Sequence, residues 1–315
     1  MTDETPIASI IVPSYRGARR LPALLDSFAG QDGGTPAFEV IVVIDGVDDG
    51  SVALLAAEDR FPVCSIVFPE NRGRVAALNA GFEAARGEVL IRCDDDLVPG
   101  DSYVAEHVAA HRDGDGGAIG LYLNQYDETA YSTVYGRAAD KDFRASAYRA
   151  PEELRWRYWA GNCSITRAVW EKVGPYDPAY RLYGWEDVDY GYRIVRAGFP
   201  VTIAPSLETT HRVAAVTTES RARRAAHSGS ARRIFEAEHG DAGLPSAIPP
   251  MSAWNLLVRA SAVVTRAAGA ARCGRVVDRL IRATAETVSR KLVALTVEGA
   301  ALSGYRAPAS AKEVF

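Results

Sequence analysis

Apolar positions in the first hundred residues fall into short continuous runs separated by amphipathic stretches. Ala8–Val12, Phe38–Ile44, Val63–Phe68 and Val89–Cys93 are the runs that strands buried on both faces produce. Between them, Leu21–Phe28, Ser51–Asp59 and Val75–Ala85 carry the spacing of helices with one apolar face. This alternation, with short connections, predicts a mainly parallel, Rossmann-like α/β sheet with helices on both faces. Beyond residue 100 the pattern loosens. Asn124 to Arg155 is rich in Tyr, Ser, Ala and charge with weak periodicity, which predicts an irregular, partly mobile excursion. Order returns with a turn and strand over Trp159–Thr166 and helices over Arg167–Val173 and Trp185–Ala197, the latter stopped by Gly198. Two short strands, Val201–Ala204 and Glu208–Arg212, follow.

The last third is different again. Thr217 to His239 carries Arg221, Arg223, Arg224, Arg232 and Arg233. Two readings stand side by side: a solvated basic helix face, or a mobile flap that covers a phosphate-bearing ligand. After Pro245 and Pro249-Pro250, residues 251–304 hold eight basic side chains against three acidic ones, although the whole chain is at −4. Val277, Ile281, Thr284, Val288, Leu292, Leu295, Gly299 and Leu302 recur at steps of three and four, which predicts one amphipathic helix. Its uses are packing on the preceding domain, a homodimer contact, or peripheral contact with an anionic membrane surface. The division expected is a domain over 1–240, in halves 1–100 and 101–240, and a helical C-terminal extension over 241–315.

Composition removes several classes. The net charge of −4 argues against a nucleic-acid partner. Cys64, Cys93, Cys163 and Cys273 are widely spaced, which fits reduced thiols in a cytoplasm and neither a disulfide framework nor a zinc cage. The acidic start Met1-Thr2-Asp3-Glu4 has no signal-peptide pattern, and no apolar run approaches the ~20 residues of a membrane span. A cytoplasmic protein is expected, peripheral at the inner face of the membrane if the C-terminal helix binds there.

The chemistry begins where Val89–Cys93 ends in Asp94-Asp95-Asp96. Three adjacent carboxylates repel one another unless a positive charge sits among them, and a hard divalent cation takes oxygen ligands. Strand ends of open α/β sheets are also where such folds bind ligands. Three further segments fall at strand ends: Pro13-Ser14-Tyr15-Arg16; Asp45-Gly46 followed by Asp48-Asp49-Gly50-Ser51; and the glycine loop Asn71-Arg72-Gly73-Arg74, which opens a helix containing Asn79. A strand-end acid can accept from a nucleobase or ribose, and a glycine loop at a helix start suits an anion or a base edge.

In this order and spacing the four segments resemble the nucleotide-sugar-binding half of family 2 glycosyltransferases of the GT-A fold. Strand one ends in their Pro-Ser/Thr-Tyr pattern and strand two in their Asp-containing turn. The Asn-x-Gly helix then leads to an Asp-x-Asp motif followed by Pro99. Gly161-Asn162-Cys163-Ser164 is similar to their acceptor-side turn. Gly184-Trp185-Glu186-Asp187-Val188-Asp189 is similar to their Gly-Trp-Glu-Asp-x-Asp helix. Leu78 departs from the arginine many members carry, and Arg92-Cys93 replaces a more apolar pair. The resemblance spans about residues 7–212 and leaves the chain beyond Thr217 unexplained.

It implies a metal-dependent, inverting transfer of a sugar from a nucleotide-sugar donor, a UDP-sugar in this reading, to an acceptor hydroxyl. Pro13, Ser14, Tyr15, Arg16, Asp45, Asn71, Arg74, Asn79, Asp94 and Asp95 are the implied donor-binding residues. Asp96, with Asp94 and His211, would hold Mn²⁺ or Mg²⁺, a Lewis acid for the departing diphosphate. Asp187 is the expected base, with Glu186 as the alternative, and Trp185 and Asn162 would contact sugar. A nucleotidyltransferase and a non-catalytic sugar-nucleotide-binding protein are the rival readings.

Overall fold

The computed structural model describes residues 5–181, 184–212, 214–240, 242–266 and 269–308. Strands β1 (Ala8–Ser14), β2 (Phe38–Ile44), β3 (Val63–Val67) and β4 (Val89–Cys93) form a parallel run of four in a seven-stranded sheet. Five further strands follow in the chain: β5 (Leu97–Val98), β6 (Gly117–Ile119), β7 (Tyr122–Asn124), β8 (Asn162–Thr166) and β9 (Val201–Ile203). The sheet order is β3-β2-β1-β4-β8-β6-β9, with β8 antiparallel to both β4 and β6. A second, three-stranded sheet places β10 (Thr209–His211) between β5 and β7.

Alternation along the central strands sorts the core. Ile10, Val12, Val40, Val42, Val89, Ile91 and Cys93 pack with Leu21, Leu24, Leu25 and Phe28 of α1 (Leu21–Ala29). Leu55 of α2 (Ser51–Ala56) joins the same cluster. On the opposite face lies α3 (Arg74–Ala84), close enough that a Cβ on Gly81 would stand 2.4 Å from Ile11 Cγ2 and 3.3 Å from Val43 Cγ2. Helix α4 (Tyr103–Ala109) returns to the α1 face through Tyr103 and Val104. Burying a strand on both faces is what made its sequence a continuous apolar run.

Three expectations change. Residues 124–155 are mostly helical: a π-helical turn over Ser132–Gly136 runs into α5 (Arg137–Tyr148), and a 3-10 segment spans Glu152–Tyr158. The arginine-rich stretch is a regular helix. It belongs to α8 (Thr218–His239), which follows α6 (Arg167–Val173) and α7 (Glu186–Arg196) in the chain. The one helix expected over Val277–Leu302 is instead split between α10 (Gly269–Leu280) and α11 (Glu286–Arg306), and a further helix, α9 (Ala253–Val264), precedes them. No described helix is long and apolar enough to cross a membrane.

The chain divides into two compact units. One comprises residues 1–125, 146–178 and 187–212 and holds both sheets; the other comprises 126–145, 179–186 and 213–315. Helix α8 therefore groups with the C-terminal helices and not with the sheet, earlier than the expected division at 240. Within the second unit α8 packs on α11 through small side chains. Ser230 Oγ donates to Gly304 O at 3.0 Å, and a Cβ on Gly229 would stand 2.0 Å from Ala301 O.

Candidate active site

The three carboxylates after β4 diverge. Period-two alternation puts Arg92 and Asp94 on the α3 side of the sheet, and Arg92 Nε donates to Asp94 Oδ1 at 3.0 Å. Asp95 turns to the α1 side. Its Oδ2 accepts from Ser14 Oγ at 2.7 Å, and Arg20 grips both of its oxygens, from Nε and Nη2, at 2.8 Å each. Asp96 faces β10, where His211 Nε2 lies 3.2 Å from Asp96 Oδ2. The positive charge demanded by the acidic run is thus supplied within the protein for two of its members, by Arg92 and Arg20. The fork of Arg20 and the Ser14 hydroxyl occupy Asp95, so both of those implied donor-binding residues are engaged in tying β1 and α1 to the end of β4.

Arg92 is the centre of the site and the residue that sequence reasoning passed over. Its side chain is fully buried, yet it donates to two carboxylates, those of Asp94 and Asp187. Burial works against its charge, but Asp187 and Asp94 outweigh burial and hold the guanidinium proton more firmly than usual. The guanidinium also lies 5.9 Å from the Tyr176 ring centroid, and Tyr176 stacks on Tyr190 at 4.0 Å. The two acids that share Arg92 are driven apart. Burial raises Asp187 and the neighbouring Asp94 charge adds to it, leaving Asp187 above the ordinary carboxylate value despite Arg92 and Arg74. Asp94 is buried too, but Arg92, Arg74 and His211 together outweigh that and hold it below the ordinary value. A pair of acids with opposed shifts is the usual signature of divided acid–base roles.

The backbone crowds in on Asp94. Its N–H donates to Gly161 O at 2.9 Å, and a Cβ on Gly161 would meet Asp94 Oδ2 at 2.2 Å and the Tyr122 hydroxyl at 2.5 Å. Only glycine fits there. The neighbouring Asn162 is interior. Its Nδ2 donates to Gly120 O, Leu207 O and Thr209 Oγ1, while Oδ1 accepts from Tyr103 and His107. With every polar atom used in the protein, Asn162 is a structural residue and not a sugar contact.

At the end of β2, Asp45 accepts from the backbone N–H of Arg72 at 2.6 Å and Gly73 at 2.9 Å, so it organises the glycine loop directly. Gly46 (φ +90°) lets the two loops meet, since a Cβ there would lie 2.1 Å from Asn71 N. Asn71 Oδ1 is buried with no hydrogen-bond partner among the described residues. Asn79 instead braces the loop at Tyr176, donating to Tyr176 O at 2.9 Å and accepting from Tyr176 N at 2.8 Å. Pro13 lies within β1, paired with Val43, and Tyr15 beyond it is exposed with the Arg16 guanidinium 5.3 Å from its ring. Arg74 opens α3, and its charge acts on both Asp94 and Asp187.

Helix α7 begins at Glu186, one residue later than expected, because Trp185 has φ +71°. Trp185 and Glu186 fall in the second unit. There Glu186 is buried, and Trp185 Nε1 donates to Ser228 Oγ at 3.0 Å while its ring packs on Phe235 at 5.2 Å under the Arg232 guanidinium. Asp187 belongs to the first unit with its two partners, Arg92 and Asp94.

The sequence profile described as glycosyl transferase family 2 matches residues 9–172, more than half of the chain. The chain belongs to glycosyl transferase family 2. A second profile, the N-terminal domain of galactosyltransferase, matches residues 143–218, the segment that carries Asp187 and His211. Among curated family relatives, an uncharacterised glycosyltransferase of Bacillus subtilis is 25% identical over 252 residues, covering 65% of this chain and 64% of that one. Validoxylamine A glucosyltransferase of Streptomyces hygroscopicus subsp. jinggangensis is 28% identical over 231 residues, covering 64% of this chain and 54% of its own length. The chain thus spans between about half and two thirds of these relatives. A mannosyltransferase of Pyrobaculum calidifontis, solved with GDP-mannose and Mn²⁺, superimposes with a TM-score of 0.60 over 96% of this chain and 88% of its own, at 18% identity. That likeness shows a shared GT-A-type fold for this family 2 chain.

Proposed function

We propose that this chain transfers a sugar from a nucleoside-diphosphate donor, a UDP-sugar in this reading, to an acceptor hydroxyl with inversion at the anomeric carbon. The observation that carries the proposal is the buried Arg92 holding Asp187 and Asp94 together at a strand end, with the Asp187 proton affinity raised and that of Asp94 lowered. A base works best when its pKa is lifted toward the working pH, and Asp187 is lifted by burial. Asp187 removes the proton of the attacking hydroxyl. The new glycosidic bond forms as the bond to the diphosphate breaks, and a single displacement inverts the carbon. Arg92 keeps the carboxylate aimed, while Arg74, at the start of α3, adds positive charge beside Asp94 where a diphosphate would be held.

The donor set for a cation is Asp96 and His211. His211 Nδ1 lies 2.5 Å from Asn124 Oδ1 and Nε2 lies 3.2 Å from Asp96 Oδ2; with Nδ1–H donating to Asn124, Nε2 would offer its lone pair to an ion shared with Asp96. The ring is stacked on Tyr122 at 4.7 Å, so its direction is fixed. Two acceptors turned toward each other suit a shared cation, and a mixed nitrogen–oxygen pair suits Mn²⁺ as well as Mg²⁺. Such an ion would neutralise the leaving diphosphate as a Lewis acid. The Mn²⁺ bound by the P. calidifontis protein of like fold agrees with that choice.

The test is a panel of nucleotide sugars with the purified chain, reading released nucleoside diphosphate with added Mn²⁺ and in EDTA. Turnover should appear with one donor class, vanish in EDTA, and be lost in Asp96→Ala without loss of the folded state. Undiminished turnover in EDTA would remove the metal from the proposal. Metal-dependent nucleotide binding without released diphosphate, across acceptors, would favour a binding protein instead.

A further inference from the structure

Helix α9 has its polarity reversed. Val258, Ala262 and Thr265, spaced by four and three, are buried within the second unit, with Val258 and Ala262 packed with Leu302 of α11. The opposite face comprises Ala253, Leu256, Leu257, Ala260, Val263 and Val264, and all six are exposed. That spacing is three turns of one helix face. A water-facing helix normally puts charge there; this face has none. Leu257 is 54% exposed, Val263 66%, and the preceding Met251 71%. Helix α10 then exposes Arg272 and Arg279 beside Val276 and Leu280, while the exposed Arg275 pairs with Glu219. Over residues 251–282 there are six arginines and one acid, Asp278. That acid is turned inward, accepting from the backbone N–H of Thr218 at 2.7 Å and Glu219 at 3.1 Å.

We infer that the α9–α10 segment is a docking surface for an anionic phospholipid bilayer, with the apolar face of α9 entering the headgroup boundary and the α10 arginines meeting lipid phosphates. Apolar area and cationic charge on consecutive helices are the two contributions that hold an interfacial helix on an anionic bilayer. Arginine suits that boundary, since its stem lies along apolar surface while the head reaches phosphate. A spanning role is closed to the described helices, none of which is long and apolar enough. A second copy of the chain is the poorer occupant: a two-fold contact sets the same patch against itself and would bring arginines against arginines. The surface lies outside the residues matched by either family profile, 9–172 and 143–218, and stands independently of the glycosyl transfer proposed above.

The experiment is co-sedimentation of the full chain with vesicles of phosphatidylcholine alone or with one third phosphatidylglycerol. Binding is expected on the anionic vesicles, at least tenfold weaker on the neutral ones, and reduced by salt. The double variants Leu256→Gln/Val263→Gln and Arg272→Gln/Arg279→Gln change exposed side chains only, and each should weaken binding at least tenfold. Their circular dichroism and nucleotide-sugar turnover in solution should match the parent. No binding to anionic vesicles at low salt overturns the inference, as does binding that both double variants retain. A concentration-dependent dimer, seen by sedimentation velocity and abolished by the α9 variant, would assign the face to a second copy and overturn it equally.

Discussion

Asp187 and Asp94 share one buried guanidinium, that of Arg92. Arg92 without Asp187 would be a buried cation with a single counter-charge, and Asp187 without Arg92 would be driven toward its neutral, non-basic form by burial. The isosteric change Asp187→Asn keeps size and most hydrogen bonds but removes the proton acceptor. Donor affinity should stay within a few-fold while kcat falls by roughly 10²–10⁴. Near-normal kcat with the true acceptor would move the base elsewhere, with Glu186 next in line. The sign of the pH dependence follows from the direction of the shift. Only the ionised base works and its pKa is raised, so kcat/KM should climb with pH to a plateau reached later than an ordinary aspartate would give. The acidic run itself was visible in the sequence, but its meaning was not. Which face each acid takes depends on where β4 ends, and the register that sends Asp95 to Arg20 and Asp94 to Arg92 is a property of the folded sheet. Arg92 read as a departure from an apolar pattern because a buried arginine looks like an error until its two carboxylates are found.

Elements were legible where burial is two-sided and local. β2 and β4 carry the bounds expected from their apolar runs, Phe38–Ile44 and Val89–Cys93, and so does α6 at Arg167–Val173. α8 was not, because its packing stripe is made of Ala222, Gly229, Ser230 and Ala231 and hydropathy does not count small residues as a face. The arginines between them were then the loudest signal, and the helix read equally well as a flap. α5 was missed for a similar reason, since Ala147 is its only buried residue. Close packing by small residues makes a sharp prediction. A Cβ at Gly304 would stand 1.9 Å from the carbonyl oxygen of Ala226, which cannot rotate away. Gly304→Ala should therefore lose about 1–3 kcal/mol in urea unfolding, the usual penalty of overpacking, with the m-value unchanged. Gly34→Ala, where nothing lies within 4 Å, is the control and should stay within about 0.5 kcal/mol. Equal stability of the two variants would mean that α8 and α11 are not in the contact described.

At the scale of the whole molecule, two neutral histidines make the fold sensitive to acid. His107 and His111 of α4 and its following turn flank Ser164 on β8: His107 Nδ1 lies 2.9 Å and His111 Nε2 2.8 Å from Ser164 Oγ. His107 Nε2 donates onward to Asn162 Oδ1 at 3.2 Å, joining the network that fixes the Gly161-Asn162 turn beside Asp94. Burial pushes the His107 imidazole down to about 3 and that of His111 to about 4. In the unfolded chain both titrate near 6.5, so between that value and the folded pKa values the unfolded state holds the extra protons. Stability is then full above about pH 6.5 and is lost as pH falls, at about 1.4 kcal/mol per pH unit for each group. The raised Asp187 and Asp95 carboxyls, both lifted by burial, act in the opposite sense, since the folded state takes their protons first. Their effect runs only from their own folded pKa values down to the ordinary carboxylate value, below most of the range over which the imidazoles act. The net expectation is a steep decline in melting temperature from pH 6.5 to 4.5, before most carboxylates are protonated. His107→Gln retains a side-chain N–H for Asn162 and removes one of the two titrations. Its stability at pH 7 should be lower, but the slope of melting temperature against pH should fall by about half. A parent melting temperature that is flat over that range, or a slope unchanged in His107→Gln, would show that these imidazoles are not the groups that carry the acid response.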